Sequence, residues 1–152
     1  ALYLLASDAG YGFVAKLVDL QTKNRAGKAV ISLSKGAQVL QPAAITTVED
    51  TLVAAVSSEG RLLIFPLADL PQMARGKGNK IIGIPSARVQ SREEFVVAVQ
   101  VFTAQDTLVI HSGKRYQNFK LKDLEHYRGE RGRRGNKLPR GFQKVDRMLV
   151  EI

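Results

Sequence analysis

The feature that most constrains the fold is an internal repeat, in which an Asp-Leu pair occurs three times, 50 and then 54 residues apart. A leucine lies two positions before each aspartate, a turn glycine lies upstream, and a basic segment follows downstream. Repeats of about this length, with around four strands each, are typical of propeller-like blades. The pairs are Asp19-Leu20, Asp69-Leu70 and Asp123-Leu124.

Each repeat contains two short apolar runs around a polar turn, which is the pattern of a β-hairpin. The clearest example joins residues 52–56 to residues 61–65 through a turn that ends at Gly60. We expect two equivalent hairpins and three further strands outside them. The other hairpins join 2–6 to 13–17 and 107–111 to 115–119, and the further strands are 29–33, 81–85 and 95–102.

Helical signals are weak in all three repeats. Residues 68–74 allow at most one turn after Asp69, because Pro71 and nearby glycines limit it, and residues 86–94 are typical of an exposed loop. The sequence therefore predicts an all-β fold of propeller-like blades with about four strands each. We expect one domain of about three blades, at 1–48, 49–104 and 105–152, with a β-sandwich as the alternative.

The positive charge of the chain is concentrated in one region. The formal net charge is +9, and residues 111–147 hold twelve of the basic residues against four acidic ones. The rest of the chain is nearly balanced, with eleven basic and ten acidic residues. This asymmetry indicates a polyanion as partner, with nucleic acid first and an acidic membrane second.

Three glycine-containing basic segments are the candidate anion-binding elements: the first at 24–28, the second at 75–80 and the third at 129–137. Glycine lets the backbone approach a phosphate, while arginine and lysine supply donors and charge. We expect the third segment to be the most mobile, and residues 138–141 to replace an apolar strand in an incomplete last blade. The candidate DNA-binding residues are Arg25, Lys28, Arg75, Lys77, Lys80, Arg131, Arg133, Arg134, Lys137 and Arg140, with Arg61, Lys114 and Arg115 at hairpin tips.

Other kinds of site find little support in the sequence. The absence of cysteine excludes disulfides and thiolate metal sites and favours a cytosolic setting. Neither His111 nor His126 has a partner at metal-ligand spacing, and no phosphate-binding loop or Ser/His/Asp arrangement is present. No apolar run is long enough to span a membrane. The repeated aspartates are interpreted as turn or capping residues, so we predict neither a metal site nor a catalytic site.

Residues 24–30, 76–82 and 129–135, in this order and spacing, resemble the C-terminal domain of bacterial type IIA topoisomerase A subunits. Residues 7–12 and 65–71 strengthen the resemblance, which covers essentially the whole chain. The glutamine-arginine-arginine-glycine-glycine-lysine-glycine box that marks gyrase is absent, so the resemblance is closest to the topoisomerase IV branch of these proteins. The chain is accordingly expected to be a fragment of a longer protein.

The resemblance implies a β-pinwheel, in which neighbouring blades exchange strands, and a positively charged perimeter that binds and bends duplex DNA. It implies a dimer of A subunits, a partner B subunit, and a bacterial cytoplasmic location at the nucleoid or peripherally at the inner membrane. The parent enzyme would use ATP and Mg²⁺ for strand passage in other domains or subunits, with no cofactor or small-molecule substrate here. The family's catalytic tyrosine lies in another domain, so no catalysis is assigned to Tyr3, Tyr11, Tyr116 or Tyr127.

Two other partners are compatible with a basic, propeller-like chain. A protein-interaction domain with a positive face could bind an acidic protein, which is the alternative function. A single-stranded RNA partner is less favoured, because aromatic residues make up only 7% of the chain and do not alternate with the basic segments.

Overall fold

The computed structural model describes residues 1–21 and 30–152, so the first basic segment, with Arg25 and Lys28, lies outside the described residues. Eleven strands, two short α-helices and three 3-10 turns are found in the described ranges. The strands are β1 Leu2–Ala6, β2 Tyr11–Lys16, β3 Ala43–Ile45, β4 Leu52–Ser57, β5 Arg61–Pro66, β6 Asn79–Lys80, β7 Val96–Phe102, β8 Thr107–Ser112, β9 Arg115–Phe119, β10 Asn136–Lys137 and β11 Arg147–Glu151. The helices are α1 Leu17–Gln21 and α2 Ser86–Gln90, and the 3-10 turns are Leu67–Asp69, Leu121–Asp123 and Glu125–Tyr127.

The strands form three antiparallel sheets, each built around one predicted hairpin. Their orders are β3-β1-β2-β6, β10-β5-β4-β7 and β11-β8-β9. The three hairpins are confirmed, except that Leu17 begins α1 instead of ending β2.

The short strands β6 and β10, which lie in the second and third basic segments, each belong to the sheet of the preceding unit. Strand β6 pairs with β2, with Lys80 opposite Tyr11, and β10 pairs with β5, with Lys137 opposite Arg61. Neighbouring units therefore exchange strands, as the β-pinwheel resemblance implied, and the structure shows that each short strand joins the sheet that precedes it in the chain. In the described residues no strand occupies the corresponding position next to β9.

Strands β6 and β10 lie on the outer edges of their sheets. At the opposite edges, β7 packs against both β3 and β11, which brings the edge strands of the three sheets next to one another. Strand β4 buries both of its faces: Val53 and Ala55 join the core between the first two sheets, and Ala54 and Val56 join the core beside the third. Burial of alternate residues on opposite sides explains why β4 is an unbroken apolar run.

Several secondary-structure predictions are wrong. The predicted strand at 81–85 is absent, because the amides of Ile81 and Ile82 donate to the carbonyl oxygen of Gly10 and both side chains are fully buried in the core. Of the strand predicted at 29–33, the described residues form only a bridge from Ile31 to Gly76. Residues 86–94 are not simply a loop, since they contain α2 and the buried Glu94.

The third unit is more similar in structure to the second unit than predicted. The amide of Leu138 donates to the carbonyl oxygen of Gly60, as the amide of Ile81 donates to Gly10, and Leu138 is likewise buried. The second unit, all of which the structure describes, has no strand at the position equivalent to residues 138–141. The prediction that these residues replace an apolar strand is therefore wrong.

The Asp-Leu pairs lie at short helical turns that follow the hairpins. The turns begin at the repeated leucines, so the single turn expected after Asp69 lies instead at Leu67–Asp69. The Asp123 carboxylate accepts a 2.9 Å hydrogen bond from the amide of Lys120, which confirms a capping role at that position.

Candidate nucleic-acid interface

Two exposed lysines occupy the same place on successive sheets. Lys80 and Lys137 end the edge strands β6 and β10, and each lies opposite the first residue of a hairpin's second strand. Residues directly opposite each other in an antiparallel pair project to the same face. The fold thus repeats one lysine-bearing arrangement along the outer edge, with Tyr11 as its neighbour in the first sheet and Arg61 in the second.

The second basic segment presents its charge to solvent. Arg75, Lys77 and Lys80 are all exposed. The Lys77 ammonium lies 4.0 Å from the centre of the Tyr11 ring, and that of Lys80 lies 5.9 Å from it. These cation–π contacts hold the ammonium groups near one another while they stay accessible to an anion.

The third basic segment, which the sequence predicts to be the most mobile of the three, is anchored to the second unit. Its backbone bonds to Ile64 and Ile81 through the amides of Gly129 and Gly132, and the amide of Gly83 donates to Arg133. Side chains add further contacts. The Arg131 guanidinium donates to the carbonyl oxygen of Lys80 at 2.7 Å, Arg61 donates to that of Gly135 at 3.0 Å, and the Asn136 amide donates to that of His126.

A buried carboxylate fixes the centre of the third segment. Glu94 is 0% exposed and forms a two-point ion pair with Arg134, in which Nη1 lies 2.9 Å from Oε2. Its oxygens also accept hydrogen bonds from the Ser57 hydroxyl at 2.7 Å and from Arg88 Nε at 3.3 Å. This network joins α2, the tip of the second hairpin and the third segment.

The same network determines the protonation of Glu94. Burial raises the pKa of the carboxyl, but hydrogen bonds from Arg134 and Ser57, the charge of Arg134 and a hydrogen bond from Arg88 outweigh it. The net effect lowers the pKa of Glu94 from its usual 4.5. The carboxylate is therefore ionised at neutral pH, and its charge is matched by arginine.

Two other carboxylates near the hairpin tips are also paired with cations. Asp8, which is nearly buried, binds Arg92 Nη2 at 2.8 Å, and Glu59 binds Lys144. These ion pairs reduce the repulsion that carboxylates would exert on a phosphate at this end of the sheets.

The remaining candidate residues differ in their location and in whether their side chains form ion pairs within the protein. Arg133 is exposed and forms a surface ion pair with Glu130 at 2.8 Å. Lys114 and Arg115 are exposed at the tip of the third hairpin, and the Arg115 side chain lies beside Gly141. Arg140 is exposed after β10, near Lys137.

The sequence did not indicate a role for Lys35 and Arg88, which the fold brings beside the lysine-bearing pairs, or for Glu94, the carboxylate that holds Arg134. Residues 86–94 contain both basic and acidic side chains but show no helical or strand periodicity of apolar residues. Only this mixture of charges could have indicated a role. The 40-residue separation of Glu94 from Arg134 leaves no local pattern for this contact.

The described residues contain no group of three or more His, Cys, Asp or Glu side chains arranged to hold a metal ion. Over the same residues, no helix has both the length and the apolar character needed to cross a membrane.

The repeated edge strands and three pinwheel sheets define a class of propeller-like domain, and the chain matches the family described as DNA gyrase C-terminal domain, beta-propeller, at residues 2–46 and 51–103. The chain belongs to this family. Within it, the chain is similar to the A subunit of DNA topoisomerase 4 from Pseudomonas aeruginosa, with 60% identity over 152 residues that cover 100% of this chain and 20% of that protein. The equivalent protein of Escherichia coli K12 is 48% identical over 148 residues, which cover 97% of this chain and 19% of that protein. The chain thus spans about a fifth of the length of these relatives.

Solved structures agree with this assignment. The E. coli ParC C-terminal domain superposes with a TM-score of 0.89 at 45% identity, over 99% of this chain and 60% of that one. A C-terminal domain of DNA topoisomerase IV shares the fold, with a TM-score of 0.78 at 18% identity over 99% of this chain and 46% of that one. The predicted family and the all-β pinwheel fold are both confirmed.

Proposed function

We propose that this chain is the DNA-binding and DNA-bending module of a topoisomerase IV A subunit. In this role it holds duplex DNA along its outer edge and directs it toward the catalytic core. The parent enzyme then carries out ATP-dependent strand passage for relaxation, decatenation and chromosome segregation. The module itself is not catalytic.

The observation that carries the proposal is the repeated placement of Lys80 and Lys137. Both side chains are exposed on outer edge strands at equivalent cross-strand positions in successive sheets. The nearby carboxylates Asp8, Glu59 and Glu94 are all paired with cations. Positive charges therefore recur along this edge, and the nearby carboxylates are neutralised by ion pairs. Such an edge is complementary to a polymer with regularly spaced negative charges.

The binding mechanism is electrostatic and reads no base sequence. Lysine and arginine side chains replace counterions on the phosphate backbone, and the displaced ions favour binding through their entropy. Bending a duplex by tens of degrees costs on the order of 1–6 kcal/mol, so several contacts along the edge must act together. Contacts on consecutive sheets supply this distribution.

The wider assembly is part of the same proposal. The relatives are topoisomerase 4 A subunits, so the whole protein would form an A-subunit dimer with B subunits of the same enzyme, in the bacterial cytoplasm at the nucleoid or peripherally at the inner membrane. ATP and Mg²⁺ would bind outside this part of the protein. Within the chain, 1–48, 49–104 and 105–152 remain the proposed repeat units.

A duplex-binding titration over a salt series tests the proposal. About six phosphate contacts predict a slope of log K against log salt near −5, and ligase-mediated circularisation of short duplexes should become more efficient with the protein bound. Replacing Arg131, Arg133, Arg134 and Lys137 together by neutral residues should weaken binding. Unchanged affinity, or no salt-dependent binding by the unmodified chain, would contradict the proposal.

The alternative, an acidic protein partner, predicts a different result in the same assay. Such a partner would be captured from an extract and retained in the presence of excess duplex. Displacement of bound proteins by duplex DNA agrees with the DNA-binding function.

A further inference from the structure

Two cavities open beside the two lysine-bearing cross-strand pairs. The first cavity has a volume of about 370 Å³ and lies at the Tyr11–Lys80 pair. Its cationic lining residues are Lys35, Lys77, Lys80 and Arg134.

The second cavity has a volume of about 430 Å³ and lies at the equivalent Arg61–Lys137 pair of the next sheet. Its lining includes these two residues together with Arg88, Arg134 and Arg140. The two cavities are therefore repeats of one structural position, in which an edge-strand lysine lies beside the start of a hairpin's second strand.

Both cavities have an excess of positive charge. Among the described residues, the lining of the first cavity includes no carboxylate. The lining of the second cavity includes Glu59, which is paired with Lys144, and Glu94, which is shared by Arg88 and Arg134. The group of one carboxylate and two guanidiniums keeps one net positive charge. Cations brought together in a concave surface repel one another and concentrate anions.

Arg134 connects the two cavities, because it lines both. Glu94 holds its guanidinium through both terminal nitrogens. A guanidinium has five N–H groups, so this pairing leaves donors available for an anion. Arg134 is thus a fixed donor positioned between two clusters of cations.

We propose that the first and second cavities are consecutive binding sites for backbone phosphates of one DNA duplex, with Arg134 as the fixed donor between them. This inference rests on the proposed function and names the side chains that carry it. It adds Lys35 and Arg88 to the candidate residues and assigns Glu94 as the positioning residue for Arg134.

The repetition of the cavities favours a polymer over a free anion. A phosphate polymer bound in one cavity presents further phosphates to the other at a high effective concentration, whereas a single phosphate ion gains nothing from the second cavity. The two cavities lie on successive sheets, so a duplex that occupies both must follow the outer edge from one sheet to the next. Loss of either cavity should therefore reduce bending more severely than it reduces affinity.

The test compares three double variants of the chain with a short duplex at several salt concentrations. Lys77→Ala with Lys80→Ala removes charge from the first cavity, and Lys137→Ala with Arg140→Ala removes it from the second. The matched control is Lys16→Ala with Lys122→Ala, which removes the same charge from exposed positions outside both cavities. All the replaced residues are exposed, and thermal unfolding checks that each variant is folded.

Each cavity variant should lose about 1.8 of the log–log salt slope, at about 0.9 per contact, and should lose the gain in circularisation. The control should keep both. If the unmodified chain binds duplex but the cavity variants behave like the control, the cavity proposal is wrong and the DNA-binding function stands. If the unmodified chain does not bind duplex, the proposed function itself fails.

A second arm distinguishes backbone phosphate from a free anion. Inorganic phosphate, at matched ionic strength, should displace duplex no better than chloride does. Displacement by millimolar phosphate, abolished in the cavity variants, would show that the cavities bind a free anion and would overturn the proposal.

Discussion

The second and third basic segments have similar sequences but are used differently by the structure. Both end in an Asn-Lys strand that pairs with the preceding sheet. The second segment, rich in lysine, leaves Arg75, Lys77 and Lys80 exposed. The third segment uses Arg131 and Arg134 to bind a backbone carbonyl and a buried carboxylate.

The difference shows that the most charged segment is not simply the most available one. Arg131 donates to the carbonyl oxygen of Lys80, so the third segment also supports the strand that carries the second segment's lysine. The planar guanidinium forms several directed hydrogen bonds, whereas an ammonium is more strongly hydrated and favours solvent. Arg131 and Arg134 therefore join the units, while the lysines of both segments supply accessible charge.

Among the variants that test this difference between the two segments, removal of the Glu94 carboxylate should cause the largest loss of stability. In Glu94→Ala, Arg88 and Arg134 lose their partner and a cavity forms, and breaking a buried pair in this way costs about 3–5 kcal/mol. Urea unfolding measures the loss. Glu93→Ala is the matched control, because Glu93 is exposed and its removal should change stability by less than about 0.5 kcal/mol. Equal effects of the two substitutions would show that the third segment does not depend on Glu94.

Alanine at Gly78 should separate the second segment from its sheet. Gly78 has a φ of +83°, and an added Cβ would lie 2.1 Å from the carbonyl oxygen of Gly12. We expect Gly78→Ala to cost roughly 2 kcal/mol or more, through strain and displacement of β6, and to weaken duplex binding.

The control for Gly78 is Gly113→Ala, where φ is +60° but no atom lies within 4 Å of the added Cβ. It should cost about 1–2 kcal/mol from backbone strain alone. At Gly135, which precedes β10 as Gly78 precedes β6, the contact is 2.9 Å, so alanine there should have an intermediate effect. The loss of thermal stability should therefore decrease in the order Gly78→Ala, Gly135→Ala, Gly113→Ala. A different order would show that close backbone approach does not determine how β6 and β10 are held.

The stabilising effect of Glu94 should depend on pH. Its pKa is lowered in the folded protein from 4.5, because hydrogen bonds and the charge of Arg134 outweigh burial. The unfolded chain therefore binds more protons as the pH falls, and the contribution is complete above about pH 4.5 and lost as the pH falls through the folded pKa. Urea unfolding of the unmodified chain and of Glu94→Gln at pH 7, 5, 4 and 3.5 measures it. The difference in stability should shrink below pH 4.5, and parallel profiles would contradict the assignment.

The smallest expected effects distinguish a supporting arginine from an accessible one. Arg131→Ala removes the hydrogen bond to Lys80 and should cost about 1 kcal/mol. Arg75→Ala, at an exposed position, should leave stability within about 0.5 kcal/mol but reduce the salt slope by about 0.9. Unfolding and duplex titrations of both variants measure these changes. A similar loss of stability in both would remove the distinction between the two segments.

Much of the fold could be predicted from the sequence. Alternating or continuous β-prone runs around turn glycines predicted the three hairpins, and the spacing of the Asp-Leu pairs predicted repeated sheets. These signals are local, because each hairpin's register depends on its own turn and apolar pattern. The same apolar pattern also predicted strands at 29–33 and 81–85, which the described residues do not form. Ile81 and Ile82 fill the core between sheets, and the sequence pattern of a buried run does not distinguish this from a strand.

The candidate site was predicted in part. The three basic segments were found from composition, and the described ones lie on or beside the outer edges. The roles of individual cations could not be predicted, since Arg134 and Lys137 are three residues apart in the same segment. One is held by a carboxylate 40 residues away, and the other is exposed.

The sequence by itself therefore determined the repeat, the hairpins and the segments that carry the excess charge, because these depend on neighbouring residues. The family resemblance implied strand exchange between blades, but the tertiary structure decided that β6 and β10 are the exchanged strands and that they pair with the preceding sheets. An edge strand's partner is not encoded in its own two residues. The tertiary structure also decided which cations remain accessible. That outcome depends on whether the fold brings a carboxylate such as Glu94 close enough to bind them.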